Sequence, residues 1–482
     1  MTRPGVVVSS ATAAPTLSVP TDTGVAFIAT EAAMGPTEGP VRLNSLDQFV
    51  ATFGQRVAGT YGYDALDAAF HEGLGTAYVV RLAEGGVVAK ESATTIAGEG
   101  NLEAANPGTW GNGLSLVVAG SGEAFTAEVK LGTALVQKSL TLATTEALVA
   151  FLASGQYMRL TGVTKPTEKP KAATVALKGG TDGTVPVSKA STLAAALSTC
   201  RADLGPGQVL APGKSSAEMH TAMLAHAAGT ADAGVNRVAF LDGPVGASEA
   251  ELKTLAGTQR GSVQDRYGAL WAPWVQIPGL APGTIRVVPW SSIQAGIVAR
   301  NDAAGHPNQA GAGSFGVSRY ATALNRTFTD AERENLLVAG VNTARSVYGV
   351  IESYAFRTLV DPNGTRGAWR ELNHARLNMA IVAKSNAVGE EIIFSQLDGR
   401  GHTLAKFNGM LAAELKQLYD DGALYGDEPT EAYVVNTGPA VNPPAQLAEG
   451  VVKAVLSVRM SPHGELILIE IVKVPITVAL AA

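Results

Sequence analysis

Apolar and polar positions alternate along the chain with two periods, one typical of strands and one typical of helices. Apolar runs at residues 25–29 and 77–82 have the length of buried strands. Between them, residues 45–53 and 63–73 carry apolar positions at helical spacing, and Ser45 can cap the first of these helices. Strands that alternate with helices predict a layered α/β domain with a largely parallel sheet.

A different pattern interrupts this alternation between residues 87 and 184. Short runs of Thr, Val, Gly and Leu alternate in polarity there, at 114–119, 125–131 and 174–178, with turn residues between them. We interpret the segment as an inserted, mainly β module. The α/β pattern then resumes, with predicted strands at 209–211, 235–241 and 267–274 and predicted helices at 218–229 and 249–260.

The last third of the chain has the pattern of mixed helices and strands. Thr329 and Glu332 form a capping box before a predicted helix. One face of that helix would carry Leu337, Val341, Ala344 and Tyr348. A second amphipathic helix is predicted over residues 403–420, with Lys406 and Lys416 outside its apolar stripe. The stripe consists of Leu404, Phe407, Leu411, Leu415 and Leu418, and it is typical of core packing.

Both ends of the chain contain strand-forming residues. The apolar run at residues 6–8 precedes a stretch rich in Ser, Thr, Ala and Pro at 9–23, which predicts an extended arm. Strand candidates at 451–460 and 465–474 close the chain, before an apolar tail at 476–480. A β-branched segment at a free end exposes backbone groups that pair readily with another chain. The closing segment therefore pairs either within its own chain or with a neighbouring one.

Size, charge and cysteine content exclude several classes of protein. A chain of 482 residues has material for two to four domains. Its formal charge of −6 and its sequence pI of about 5.7 argue against direct nucleic-acid binding. Cys200 is the single cysteine, which excludes an intrachain disulfide and a multi-cysteine zinc site and favours a reducing compartment. No apolar run suggests a signal peptide or a membrane span, so we expect a soluble subunit without stable membrane insertion.

Three strings imitate ligand-binding motifs, and each lacks a required feature. Gly311, Gly313 and Gly316 have the spacing of a dinucleotide-binding loop, but no predicted strand precedes them. The string APGKS at 211–215 resembles the end of a P-loop, but Gln208 stands where the first glycine is required. The string GGTDG at 179–183 is typical of a tight turn.

The titratable residues form no recognisable catalytic or metal-binding pattern. The seven histidines lack the spacing that would place two metal ligands on one helical face. No G-x-S-x-G string marks a nucleophilic serine. The acidic residues Asp420, Asp421, Asp427, Glu428 and Glu431 are interpreted as a solvated surface. We therefore expect no catalytic residue, no metal site and no cofactor.

Ordered strings along nearly the whole chain resemble the tail-sheath family of contractile phages and related injection systems. In the first half they are PGVVV (4–8), TGVAFIA (23–29), GP (35–36), FVATFG (49–54), GTAYVVR (75–81), NPGTWGN (106–112) and GGTDG (179–183). In the second half they are APW (272–274), VPWSS (288–292), AGI (295–297), ARND (299–302), GVN (340–342), FRTL (356–359), WR (369–370) and GALYG (422–426). The order of the strings makes the resemblance specific.

The resemblance implies an α/β and α+β multidomain fold. Its core would be a subtilisin-like α/β domain without protease function, followed by a C-terminal α+β domain that faces an inner tube. N- and C-terminal arms would add strands to sheets of neighbouring subunits. We expect an arm at 1–22, the core at 23–86 plus 185–328, the inserted module at 87–184, the C-terminal domain at 329–474 and a second arm at 475–482.

The resemblance also implies a structural role instead of an enzymatic one. The chain would polymerise as stacked hexameric rings around an inner tail tube protein, between baseplate and tail terminator proteins, and contract to drive the tube through a target envelope. It would belong to a virion tail or an injection particle assembled in the bacterial cytoplasm. The residues predicted to pair strands between subunits are Val6, Val7, Val8, Leu466, Leu468, Ile469, Ile471, Val472 and Val474, and those predicted to face the tube are Lys406 and Lys416.

Two alternatives stay open at this point. A non-contractile capsid or filament protein would polymerise through repeated contacts of the same kind. An α/β enzyme would need a cleft in which titratable groups converge, and such a cleft need not show in local sequence motifs.

Overall fold

The computed structural model describes residues 19–465, apart from 122, 123 and 233, and also residue 467. The chain begins with β1 (Ala26–Thr30), β2 (Val41–Leu43), α1 (Leu46–Phe53), α2 (Gly62–Glu72) and β3 (Ala77–Arg81). Next come β4 (Lys90–Ser92), α3 (Thr94–Ala97), β5 (Asn101–Ala104), β6 (Leu114–Ser121), β7 (Ala124–Leu131), β8 (Ala134–Lys138), α4 (Thr145–Ser154), β9 (Met158–Thr161) and β10 (Ala173–Ala176).

The third quarter returns to alternating helices and strands. It contains α5 (Ala190–Ser198), β11 (Gly207–Leu210), α6 (Ala217–Asp232), β12 (Arg237–Asp242), α7 (Glu249–Gln259), β13 (Gly268–Ala272), β14 (Val275–Pro278), β15 (Ile285–Val288), α8 (Trp290–Ala304), β16 (Ala323–Leu324), α9 (Asp330–Val338), β17 (Val341–Val347) and β18 (Val350–Ser353). The last elements are α10 (Leu372–Ile392), α11 (His402–Asp420), α12 (Pro429–Ala432), β19 (Tyr433–Asn436), α13 (Pro444–Ala448) and β20 (Val455–Val458).

An eight-stranded sheet organises the centre of the molecule, in the order β2-β3-β1-β11-β12-β13-β17-β18. The six strands from β3 to β17 run parallel, and β2 and β18 are antiparallel at the two edges. All five residues of β1 are buried, as expected for a parallel strand that is covered on both faces. Phe27 packs into the core on one face and Ile28 into the core on the other, because side chains alternate along a strand.

Helices α2 and α8 pack closely against each other beside this sheet. Gly296 of α8 makes the approach possible, since a Cβ there would lie 2.3 Å from the Cβ of Glu72 and 2.5 Å from the carbonyl oxygen of Ala69. The carboxylate of Glu72, buried in the contact, accepts hydrogen bonds from the backbone N–H groups of Arg319 and Tyr320 and pairs with Arg300. Helix packing and ion pairing therefore join segments more than 200 residues apart in sequence.

The inserted segment has a hydrophobic core of its own, built on two antiparallel sheets. One sheet has the order β10-β6-β7-β8 and the other the order β4-β5-β9. Leu116, Val129 and Leu160 lie in their shared core, together with Leu148 from α4. The mainly β character predicted for residues 87–184 agrees with these sheets, and α4 is an addition that the sequence pattern did not indicate.

The last unit consists of the α10–α11 helix pair and the two-stranded sheet of β19 and β20. Leu377, Leu415 and Leu418 form its buried core, against Leu424. The predicted helix at 403–420 is confirmed as α11. The predicted strand at 451–460 is shorter than expected, because only β20 pairs in a sheet and Met460 makes an isolated bridge.

The prediction for the segment after Thr329 was wrong in its second half. The capping box is present and α9 begins at Asp330, but the helix ends at Val338 and Gly340 has a left-handed φ of +84°. Residues from Val341 onward form β17, which pairs with β13 of the central sheet. Pairing with a buried strand outweighs the helical spacing of Leu337, Val341, Ala344 and Tyr348, so the predicted helical face does not exist.

Strands β17 and β18 lie within residues 329–474, which we assigned to a C-terminal domain from sequence. They nevertheless extend the central sheet at its β13 edge. None of the helices in the described part of the chain combines the length and the hydropathy that a bilayer crossing needs.

Candidate functional site

The place where an open parallel sheet binds ligands is occupied here by protein groups. Such ligands lie at the carboxyl ends of the strands, where the strand order reverses, and in this sheet that point lies between β1 and β11. Glu31 follows β1 and Lys214 follows β11, and the two form a buried ion pair. Both are tied to Val187, whose N–H donates to Glu31 at 2.7 Å and whose carbonyl accepts from Lys214 at 2.9 Å. The lysine of the P-loop-like string is therefore held inside the fold.

Ser291, His220 and Asp242 lie near the carboxyl ends of strands of the same sheet, and all three are buried. Asp242, the last residue of β12, accepts hydrogen bonds from Ser291 N at 3.0 Å and Ser291 Oγ at 2.5 Å, and so caps the start of α8. Burial raises the pKa of Asp242 to about 7 and lowers the pKa of His220 to about 4. All three side chains lie in the interior, and the Asp242–Ser291 hydrogen bonds stabilise the start of α8.

The other two motif-like strings also have structural roles. Gly311 packs against α8, where its carbonyl accepts from Gln294 Nε2 at 2.9 Å, and only a short 3-10 turn follows at Gly313–Gly316. In the 179–183 turn, Asp182 accepts from both the N–H and the hydroxyl of Thr109 at 2.7 Å. Asn112 exchanges two further hydrogen bonds with the backbone of Gly180. The turn therefore closes the base of the inserted segment.

Glu371, His463 and Glu465 form a cluster at the start of the C-terminal tail that has the composition of a metal site. His463 Nε2 lies 3.4 Å from Glu371 and 3.8 Å from Glu465. Each carboxylate already has a cationic partner, Arg370 for Glu371 and Arg357 for Glu465. A divalent ion would have to displace these pairs or add uncompensated positive charge, so we interpret the cluster as an ionic latch.

The ionic latch makes one prediction about pH. The carboxylate of Glu465, 3.8 Å from His463 Nε2, raises the pKa of His463 against the opposing effect of burial, and Glu371 adds to the rise, so protonation of His463 stabilises the folded state. That stability is fully present below the unfolded pKa of about 6.5 and is lost as the pH rises through the folded value. We expect His463→Gln to lower the thermal midpoint more at pH 5.5 than at pH 8.5.

The comparison with wild type is needed because other groups titrate near His463. Burial lowers the pKa of His374, which opposes the trend, whereas the pKa of Glu465 is lowered to about 2, first by His463 and then by Arg357. Glu465 therefore stays ionised throughout the window, beside Arg370 and Glu371. A His463→Gln effect of equal size at both pH values would contradict the latch.

The small sheet of β19 and β20 has an open edge. Within the described residues each strand pairs only with the other, in an antiparallel register that sets Tyr433 opposite Val458. The inner face packs on the core of α10 and α11, and the outer face leaves Val434 53% exposed. Backbone groups along the outer edge of β20 are therefore available to a further strand, whereas on the β19 edge the carbonyl of Val435 already accepts from Asn408 Nδ2 at 2.9 Å.

The residues predicted to pair strands between subunits all lie outside the described residues. They are Val6, Val7, Val8, Leu466, Leu468, Ile469, Ile471, Val472 and Val474. The structure describes the roots from which both segments leave the body, at residues 19–24 and 459–465.

The two predicted tube-facing lysines are both exposed on α11 but differ in their partners. Lys416 pairs with Asp420 one turn away at 2.6 Å, and this pair raises the pKa of Lys416. Lys406 has no ion-pair partner among the described residues. The acidic residues around 420–431 are exposed, as predicted.

Exposed apolar residues at two loop tips were missed from sequence. Phe394 follows α10 with a φ of +62° and is 99% exposed, beside the half-exposed Ile393. Tyr348 stands fully exposed at the tip of the β17–β18 hairpin. A positive φ at a non-glycine residue gives no sequence signal, so neither tip was predictable.

Comparison with known proteins places this architecture among solved sheath structures. No family model and no curated protein sequence matches the chain. A sheath tail protein from Listeria innocua matches with a TM-score of 0.63 and 16% identity, over 87% of this chain and 89% of that one. A sheath tail protein from Desulfitobacterium hafniense matches with a TM-score of 0.58 and 16% identity, over 90% of this chain and 93% of that one.

A third match is the helical sheath of the anti-feeding prophage in its contracted state. Its TM-score is 0.56 at 16% identity, and the alignment covers 98% of this chain and 99% of that one. Identities this low carry information about fold alone, and three alignments that span nearly entire chains agree on it. The protein has the fold of the sheath subunits of contractile tails and injection systems.

Proposed function

We propose that this chain is the sheath subunit of a contractile tail or injection particle. It would polymerise as stacked hexameric rings around an inner tube and shorten to drive the tube through a target envelope. The observation that supports this best is the alignment of 98% of the chain with 99% of a sheath subunit from a contracted particle. An alignment of this extent includes the core, the inserted module and the C-terminal unit.

The interior of the fold gives less support to an enzymatic role. The switch point of the sheet is filled by the Glu31–Lys214 pair, and Ser291, His220 and Asp242 are buried. An open crevice of about 420 Å³ lies between the core and the inserted segment, with Glu38 and Arg159 in its walls. Arg159 donates its hydrogen bonds to backbone carbonyls within its own segment, so the crevice has no converging catalytic groups.

Strand exchange between subunits is the proposed means of polymerisation. The donors would be residues 6–8 and the segment from 466 to 474, and the acceptor would be the open-edged sheet of β19 and β20. An added strand of about five residues makes four or five ladder bonds worth ~1 kcal/mol net each. Such a contact is modest alone and strong when repeated over a helical lattice.

The proposed domain partition keeps the arms at 1–22 and 475–482, a subtilisin-like core at 23–86 plus 185–328, the inserted module at 87–184 and an α+β domain at 329–474. Because β17 and β18 pair in the central sheet, we propose that the core extends through Ser353. The remaining C-terminal domain would then consist of α10, α11 and the β19–β20 sheet.

Lys406 is the better candidate of the two lysines for contact with acidic groups of the tube, because Lys416 already has a partner on its own helix. We expect Lys406→Glu to reduce co-assembly of sheath and tube several-fold. The matched control Lys416→Glu loses the pair with Asp420 and gains a like-charge contact at the same helical spacing, so it should lower helix stability slightly and leave co-assembly nearly intact. Co-sedimentation of sheath with preformed tubes measures both, and equal losses for the two variants would count against the proposal.

The further partners proposed are a baseplate and a tail terminator, and the proposed place of assembly is the bacterial cytoplasm. Negative-stain microscopy of the purified protein, alone and with its tube, tests the function. Helical tubes with a central channel and two discrete lengths are the expected result. A filament of one fixed length would favour the non-contractile alternative, and a monomer at all concentrations would overturn both.

A further inference from the structure

The roots of the two arms are linked to the same short stretch of helix α10. The N-terminal root contains Thr23 and the C-terminal root contains Ser461, and these residues are far apart in sequence. Both are connected to the first two turns of α10 through residues 302–308, the end of α8 and the loop that follows it.

The N-terminal root is held by a buried ion pair. Thr23 Oγ1 donates to Asp302 Oδ2 at 2.5 Å, and the Thr23 carbonyl accepts from Gln208 Nε2 at 2.7 Å. Arg376 of α10 binds both oxygens of Asp302, at 2.6 and 3.0 Å. The Arg376 side chain is 0% exposed and that of Asp302 is 8% exposed, so water competes little for these contacts.

The C-terminal root is held by a buried amide pair one helical turn earlier. Asn308 Nδ2 donates to the carbonyls of Ser461 at 2.9 Å and Ala423 at 3.0 Å. Asn373 of α10 donates to Asn308 Oδ1 at 2.8 Å and so orients that amide. Asn373 and Asn308 are both buried, like the ion pair beside them.

The two halves join through adjacent residues. Arg376 also donates to the carbonyl of Pro307, the residue before Asn308, at 3.4 Å. Asn373 and Arg376 lie three residues apart and therefore on one side of α10. Thr23, Asp302, Asn308, Asn373, Arg376 and Ser461 form a continuous arm-root network.

The arm-root network need not add much to the stability of the fold. A buried ion pair often contributes no more than well-packed apolar residues of similar volume, because desolvation offsets the attraction between the charges. What it supplies is a defined geometry, since an arginine that binds a carboxylate through two bonds fixes both partners. The network therefore specifies where the two arm roots lie relative to each other.

We propose that the arm-root network transmits tension between the N-terminal and C-terminal arms of one subunit. The inference rests on the proposed function, in which both arms pair with neighbouring subunits. Pull on one arm then passes through Thr23, Asp302 and Arg376 to Asn308 and Ser461, and so reaches the other arm.

The test compares Thr23→Val with the double variant Asp302→Leu/Arg376→Met. Thr23→Val removes one hydroxyl at almost constant volume, so it should fold as wild type does. The double variant replaces the ion pair by apolar side chains and should keep a thermal midpoint close to wild type, whereas Arg376→Met alone leaves Asp302 buried without its partner and should lower it. Glu31→Gln/Lys214→Met is the matched control, because it removes a buried pair outside the network.

Two measurements separate this inference from the proposed function. In the monomer, hydrogen exchange of the amides at 455–461 should become about fivefold faster in Thr23→Val and in the double variant, and unchanged in the control. In assembled tubes, both network variants should fragment on contraction or shear while control tubes stay whole. Unchanged exchange together with intact tubes would overturn the network, whereas a wild-type protein that forms no tubes would overturn the proposed function instead.

Discussion

Removal of residues 1–22 is expected to abolish ordered tubes and to leave a folded monomer. The deleted segment contains the predicted donor strand at 6–8 and ends immediately before Thr23, the first buried residue of the described chain. Residues 20–22 are exposed, so their loss removes little packing from the body. The expected thermal midpoint is therefore within a few degrees of wild type. Negative-stain microscopy measures the assembly, and circular dichroism measures the fold.

A matched variant separates strand pairing from arm length. Replacement of Val6, Val7 and Val8 by serine keeps the arm and removes its β-branched residues, so it should weaken assembly without shortening the chain. Tubes of normal length and number from the truncated chain would rule out the N-terminal arm as a connector. Loss of tubes on deletion with normal tubes from the serine variant would assign the effect to other residues of the arm.

The parts of the fold that the sequence predicts well are those with a clear period or a local cap. Helix α1 begins after Ser45, whose hydroxyl accepts from Gln48 N as expected of a cap, and strand β1 lies within one residue of the prediction. Helix α11 has a one-sided apolar stripe, with Leu411, Leu415 and Leu418 buried, and it was found almost to the residue.

Two long helices were missed because they are buried on several sides. The residues of α8 from Trp290 to Ala299 are all buried, and α10 is buried through much of its N-terminal half. Such helices lack the polar face that makes a helical period visible. The arm-root network and the Glu31–Lys214 pair were missed for another reason, since each joins residues that only the tertiary fold brings together. A buried charge has the same letter in the sequence as an exposed one.

At the candidate site, a local sequence motif likewise failed to predict the tertiary contacts of its residues. Sequence strings suggested a P-loop end at 211–215, and the structure shows what the lysine binds instead. Lys214 does not face solvent or a phosphate-sized crevice, and its ammonium group contacts Glu31 and the carbonyl of Val187. A local motif therefore specifies chemistry only when the surrounding elements leave its groups free.

Lys214→Met is accordingly expected to act on stability and on no ligand. The substitution leaves the Glu31 carboxylate buried without its cation, which typically costs about 3–5 kcal/mol in the free energy of unfolding. Glu31→Gln/Lys214→Met should recover most of that loss, because a neutral amide oxygen can still accept from the Val187 N–H. Denaturant unfolding followed by tryptophan fluorescence measures all three proteins, since Trp271 and Trp274 lie in and just after β13.

The same variants decide between the structural and the nucleotide-binding interpretation of this lysine. In a phosphate-binding loop, ATP with Mg²⁺ would raise the thermal midpoint of wild type and have no effect on Lys214→Met. A structural lysine gives no ligand shift in either protein and a large difference between them without ligand. Because Glu31 and Lys214 fill the point where the strand order reverses, recovered stability in the double variant combined with unchanged tube assembly would show that the pair serves as packed interior at this point and not as a ligand site.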